Sequence, residues 1–506
     1  MGSAVPLTFC AALAAGALVV RGDRARAWLL IGALLLAPTI LLVHVSDSEQ
    51  VRTLRDNPSL GVAAAVMGLG LVAALAILFR RVPTAFAVAA VATIPFRIPI
   101  AVAGSTSNLL LPLYLVVAAG VLAWAVPMVR PPGRTGRRSR TDGESAPEAG
   151  AHGSPDLVPG WVERLLAITL VLYAAQSAYA DDSGRALENV VFFYVPFAML
   201  YVVMARLVWT TRLAGIALGV LTGLAVALAS IGYVEYATRH LLLNPKVIAS
   251  NQLEDYFRVN SLFFDPNIYG RFLAIVLVLL VAWMLWRSRT RDVALGALVT
   301  AFLFGGLVLT LSQSSFAALL VGLAVLGALR WSVRWALIGA AVVAVVALVA
   351  VVLGTSAFDG GGGSSKATSG RSDLISGGVR LFADRPAQGW GSGSFAREYR
   401  RAEDVSAERA TSASHTIPVT VAAEQGLVGF LVYLALLAFA FLRLFRGAAR
   451  DGPVRVGIAA AFAALVAHTL MYAAFLEDPL TWALLAVGTA TAAAAAVTVT
   501  ASPEDE

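Results

Sequence analysis

The sequence predicts an all-α, polytopic helical membrane protein with about 12–15 transmembrane helices and a long, partly helical outer loop. Three observations predict it. The 506-residue chain is 58% hydrophobic and carries charge at only 14% of its positions, where soluble domains carry about 25% charged residues. Its mean hydropathy is +0.78. Apolar stretches long enough to cross a hydrocarbon core of about 30 Å recur along its length.

The apolar stretches run roughly over 5–20, 27–45, 60–79, 84–103, 108–129, 161–180, 190–208, 214–237, 267–286, 293–311, 315–329, 335–354, 416–441, 456–475 and 480–499. The first lacks a charged leader (MGSAVPLTFC) and reads as a retained span. Pro95, Pro99 and Pro112 threaten the fourth and fifth, because proline breaks helix interiors. Orientation follows from the short loops. Arg21/Arg24/Arg26, Arg80/Arg81, Arg287/Arg289/Arg291, Arg330/Arg334 and Arg443/Arg446/Arg450/Arg455 collect on alternate loops, which are therefore cytoplasmic. The C-terminal tail falls on that side too.

Composition divides the chain. Residues 1–130 form the N-terminal helices. Residues 131–160 (PPGRTGRRSRTDGESAPEAGAHGSPDLVPG) cannot bury a core and read as a disordered basic cytoplasmic linker. Central helices occupy 161–354, interrupted by an outer loop at 238–266. A large outer loop covers 355–415, and C-terminal helices fill 416–506. Within the large loop, DLISGGVRLFADRP places Leu374, Ile375, Val379, Leu381 and Phe382 at helical spacing, which predicts a short amphipathic helix. Long loops in an otherwise economical chain carry function.

Several function classes drop out. Cys10 is the single cysteine, so there is no disulfide framework or cysteine metal site. No nucleic-acid motif appears, and topology accounts for the arginines. Asp47-Ser48-Glu49 lies in the first outer loop, where Arg52 and Arg55 neutralise it, so no metal is assigned.

The outer loops are basic against the charge rule. Arg239, Lys246 and Arg258 occupy the first, and Lys366, Arg371, Arg380, Arg385, Arg397, Arg400, Arg401 and Arg409 the second. Each alone reads as solvated surface. Together they suit an anionic head group or pyrophosphate, because guanidinium pairs bidentately with phosphate. In FRVNSLFFDPNIYGR, Asp265 reads as a helix N-cap with Pro266 at the first helical position. Arg258 has no such local task. Ser312-Gln313-Ser314-Ser315 reads as a turn with serine capping. Gly389, Gly391 and Gly393 flank Trp390 in a tight turn. His44 and His468 read as packing or hydrogen-bonding residues.

In TSASHTIPVTVAAEQGLVGFLVYL, Thr416 and Pro418 mark a helix start with His415 at its outer mouth. At 100° per residue, Gly426 and Gly429 fall near the azimuth of His415, giving a stripe for close helix packing. Glu424 falls on nearly the opposite side and needs a partner of its own, since a carboxylate in hydrocarbon is costly.

These residues resemble the O-antigen ligase/polymerase superfamily of integral membrane glycosyltransferases. The strongest match is His415-Thr416, nine residues, then Gly426-Leu427-Val428-Gly429. Thr416 stands where Asn, Ser or Gln is usual. Arg258 with DPN, LSQSS, and Arg371 with RPAQGWGSGSF add to it, although Ser315 stands where arginine is common. Arg380, ten residues before Gly391, is similar in spacing to a polymerase arginine motif.

The resemblance implies a C-type glycosyltransferase fold in the cytoplasmic membrane. Its donor would be an undecaprenyl-pyrophosphate-linked saccharide and its acceptor a glycan or lipid. Partners would lie in envelope polysaccharide synthesis, with no cofactor or metal. His415 would be the base, and Arg258, Arg371 and Arg380 would hold pyrophosphate on the outer face, with inversion at the anomeric carbon. The alternative is a transporter or flippase of a lipid-linked glycan, which should show inverted repeats and broken helices. No clear repeat is found. A scaffold in an envelope complex would leave the His415 motif without a role.

Overall fold

The computed structural model describes residues 4–44, 46, 55–102, 105–130, 158–243, 257–334, 364–404, 414, 416–472 and 474–500. The expected span at 335–354, His415, Asp47, Glu49 and nearly all of the 131–160 linker lie outside the described residues. Among the described residues the architecture is all-α, apart from one two-stranded hairpin.

The first helices are α1 (Ala4–Val19), α2 (Asp23–His44), α3 (Pro58–Arg81) and α4 (Pro83–Thr93). Then comes the hairpin of β1 (Ile98–Val102) and β2 (Ser105–Leu109), antiparallel, with Ile98 opposite Leu109. Helices α5 (Leu111–Val129) and α6 (Trp161–Gln176) follow. Next is α7 (Ser183–Met204), which holds a π-helical turn at Val190–Tyr194. After α8 (Thr211–Thr238) come α9 (Pro266–Met284), α10 (Thr290–Leu309) and α11 (Gln313–Arg330). The large loop contributes α12 (Ser364–Asp384) and α13 (Phe395–Glu403). The chain closes with α14 (Ile417–Phe445), α15 (Pro453–Thr469) and α16 (Pro479–Thr500).

Proline starts many of these helices, at Pro58, Pro83, Pro266 and Pro453 among others. Its missing N–H is one that the first turn leaves unbonded in any case. Ten of the described helices are long and apolar enough to cross a membrane, and Ala4–Val19, Pro83–Thr93 and Pro453–Thr469 are shorter apolar helices. The protein is thus a multi-pass membrane protein.

The fourth apolar stretch departs from expectation. Instead of one span over 84–103, α4 stops at Thr93 and the chain passes through Pro95 and Arg97 into the hairpin. Pro95 and Pro99 each remove a helical N–H, and together they end the helix in mid-stretch. The 11 residues of α4 rise only about 16 Å.

Burial separates centre from rim. In the apolar window of α7, 83% of residues are buried, against 6% in α3. Val62, Val66, Met67 and Leu69 of α3 face outward, as a lipid-facing helix requires. At the arginine-rich end, Arg443 pairs with Glu163 at 2.5 Å, and Tyr201 donates to the same carboxylate at 2.5 Å. This ties α14, α6 and α7 together.

Candidate active site

At the opposite end of the bundle, the starts of α9, α11 and α16 meet the end of α15 through polar contacts. Asp265 caps α9, accepting from the Asn267 N–H at 2.6 Å, and its second oxygen accepts from Tyr472 at 2.6 Å. Ser312 caps α11, with Ser315 N–H directed at its side chain. The Ser312 hydroxyl donates to Asn267 Oδ1 at 2.8 Å. Gly270 lets these helices close up, because a Cβ there would lie 2.6 Å from Ser315 Oγ. His468 Nε2 lies 3.2 and 3.3 Å from the Ser314 and Ser315 hydroxyls. Both histidine and serines are buried, so this cluster joins helices and offers no open wall to a sugar.

Arg258 reaches the same place. Its Nε donates to Thr310 O at 3.0 Å and its Nη2 to Asn267 Oδ1 at 3.3 Å. One turn below Asn267, Arg271 pairs with Asp478 at 2.5 Å and donates to Ala474 O at 2.8 Å. Arg271 and Asp478 are buried.

The second half of the site is the large loop packed on α14. Gly426 has φ +64° and ψ −165°, so α14 is broken there. This differs from the continuous stripe expected for Gly426 and Gly429. The break is bridged by the loop: Trp390 N–H donates to Ala423 O at 3.1 Å and Gly391 N–H to Glu424 O at 2.8 Å. Leu427 N–H donates to Pro386 O at 2.7 Å. Gly389, Gly391 and Gly393 all have positive φ, as the tight turn requires. Gly429 packs against Gln425 of its own helix, where a Cβ would lie 2.2 Å from Gln425 Cβ.

The two oxygens of Glu424 accept from Gly393 N–H at 3.0 Å and Phe395 N–H at 3.1 Å. That satisfies the buried acid and caps α13, a basic helix that the composition did not single out. Below Thr416, a cavity of about 50 Å³ is lined by Thr420, Glu424, Tyr173, Tyr194, Tyr433 and Glu477. A space of that size holds a few waters at most.

The candidate residues fall unevenly. Ser414 and Thr416 flank His415 and are locked together, with Ser414 Oγ donating to Thr416 O at 2.8 Å and Ser414 N–H to Thr420 Oγ1 at 3.0 Å. Arg371 lies on α12, which packs along α14 through Gly378 and Val419. Arg380 is exposed and donates to Glu403 at 2.6 and 3.0 Å, binding α12 to α13. Sequence reasoning missed Arg97, which sits in the break after α4. The signal was present, since arginine inside an apolar stretch marks function by default.

Residues 298–434 match the family model described as O-antigen ligase. Over that stretch the chain is similar to the O-antigen ligase domain. The stretch spans the serine turn, α12, α13, the His415 motif and the Gly426 break. The match supports a membrane glycosyltransferase-like ligase or polymerase role at the level of the family. Arg258 and Arg97 lie before the matched stretch in the chain. No curated protein matches the chain significantly.

Proposed function

We propose that the protein transfers glycan from an undecaprenyl-pyrophosphate-linked donor to an acceptor hydroxyl on the outer side of the cytoplasmic membrane. The observation that carries this reading is that the matched domain spans the His415-Thr416…Gly426-Gly429 motif and the loop that clasps its helix. In this reading His415 takes the proton of the acceptor hydroxyl. The acceptor oxygen bonds to the anomeric carbon, the bond from that carbon to the phosphate oxygen breaks, and pyrophosphate leaves with the electron pair. Arg258 and Arg371 hold the departing charge. Arg380, held by Glu403, is assigned to anchoring α13.

The decisive experiment replaces His415 with Ala and assays transfer from lipid-linked donor with insertion verified. Loss of a general base costs roughly 10²–10⁴-fold. Undiminished transfer by the inserted variant overturns the base assignment. The wild-type product sorts the activities. A longer lipid-linked chain means polymerase, and glycan on a new acceptor means ligase.

One observation favours the second reading, a transporter. The break at Gly426 and the stop at Thr93 are discontinuities of the kind transporters use. Glycan that changes sides without transfer would decide for it.

A further inference from the structure

Arg97 is the feature that the foregoing leaves without a role. It lies in the non-helical stretch between α4 and β1, in the middle of an apolar segment. Irregular backbone at membrane depth is tolerated only where it is buried in protein or lines a cavity. Its guanidinium makes no hydrogen bond or ion pair among the described residues, although five N–H donors are available. The groups that act on it electrostatically are Asp478, Arg271, Tyr114 and Tyr472. Each of the last three is already engaged: Arg271 holds Asp478 at 2.5 Å, Tyr114 donates to Phe192 O at 2.6 Å, and Tyr472 donates to Asp265 at 2.6 Å. The nearby acid Glu477 takes the hydroxyl of Tyr194 at 3.0 Å and the Phe475 N–H at 3.1 Å. Arg97 is thus a cation beside a second arginine whose carboxylate is already shared. Arg271, although buried, has an Nε with no acceptor.

What lies beneath selects the ligand. A cavity of about 180 Å³, almost wholly apolar, is lined by Ile94 three residues before Arg97, by Phe272 next to Arg271, and by Leu480 near Asp478. It continues along α9 to Trp283, about 16 Å from Phe272, and beyond the helix to Arg287. A cation three residues from the wall of an apolar groove fits a phosphate head with a hydrocarbon tail.

We infer that Arg97 binds the phosphate head of a lipid-linked pyrophosphate whose chain enters the groove under Ile94, Phe272 and Leu480. This rests on the glycosyltransferase reading for the identity of the lipid, but its binding chemistry is tested separately. Arg258, which donates to Asn267 in the first turn of α9, would be a second cation for the same head. Arg97 lies outside the matched domain, so the N-terminal helices contribute to the donor site.

The test measures binding of farnesyl pyrophosphate and of inorganic pyrophosphate to the full chain in nanodiscs. The chains compared are wild type, Arg97→Gln and Arg97→Lys. Losing a charge-assisted contact should weaken lipid pyrophosphate binding about tenfold to a hundredfold in Arg97→Gln, with a smaller loss in Arg97→Lys. Inorganic pyrophosphate should bind more weakly than the lipid form, because it leaves the groove empty. Arg97→Gln that keeps its wild-type melting point and binds both probes like wild type overturns the inference. So does a wild type that binds neither probe, or one that binds the two equally. Binding that depends on Arg97 in a protein that transfers no glycan leaves Arg97 in place and removes the transferase reading.

Discussion

Arg271 and Asp478, at 1% and 3% side-chain exposure, show what a buried charge requires of its neighbours. Their attraction in a low-dielectric interior offsets the loss of hydration only while both are present. Asp478→Ala would leave Arg271 buried with Ala474 O as its remaining acceptor. Breaking such a pair from one side costs roughly 3–5 kcal/mol. The melting point of purified Asp478→Ala should therefore fall steeply. The double change Arg271→Met with Asp478→Leu should recover much of that loss, because apolar replacement removes the desolvation cost of both ions. A single variant as stable as wild type would show that the pair does not hold α9 to the start of α16. Arg97 differs from this pair in having no carboxylate of its own, and that difference separates a structural arginine from a ligand-binding one.

At the scale of the element, the break in α14 joins membrane helix to outer loop. Gly426 occupies a backbone region that is essentially glycine-only, and a Cβ there would lie 2.4 Å from Ala387 O and 2.7 Å from Gly389 N. Gly426→Ala should cost on the order of 1–3 kcal/mol and loosen the 386–391 segment. Arg397 is exposed just after that segment, so trypsin should cut the variant faster after Arg397, whereas the Arg385–Pro386 bond resists trypsin in either chain. An unchanged cutting rate would show that the loop is held by other contacts. This break also marks where the sequence stops being legible. Asp265 and Ser312 were readable as caps, because a cap bonds within three residues of itself. The apolar stretches were readable because hydrocarbon imposes their length. GLVG, in contrast, reads as helix, and its break is made by Pro386 and Gly391, some forty residues away. The partners of Glu424 were equally hidden, being backbone N–H groups of a loop some thirty residues earlier. The stop in the fourth span was half visible: Pro95 and Pro99 gave warning, but a hairpin and a cation there need tertiary context.

For the whole molecule, the two ends of the bundle differ in kind. One end carries clustered arginines in short loops, with the Arg443–Glu163 pair among them. The other carries α12, α13 and the capped starts of α9 and α11. Positive residues stay cytoplasmic, so the second end should face outward, where lipid-linked donor would meet acceptor. The chain's own chemistry makes this easy to test. Cys10, the single cysteine, is fully buried against α2, with its sulfur 4.0 Å from Ala33 O, and will not compete for a thiol reagent. A cysteine placed at exposed Ser376 on α12 should react with a membrane-impermeant maleimide on intact cells. One placed at exposed Ser288, between α9 and α10, should react only after the membrane is opened. The reverse pattern would invert the topology and put the His415 motif on the nucleotide-rich side. Labelling of both from outside would place Ser288 and Ser376 on one face and contradict the odd number of crossings that the charge pattern sets between them.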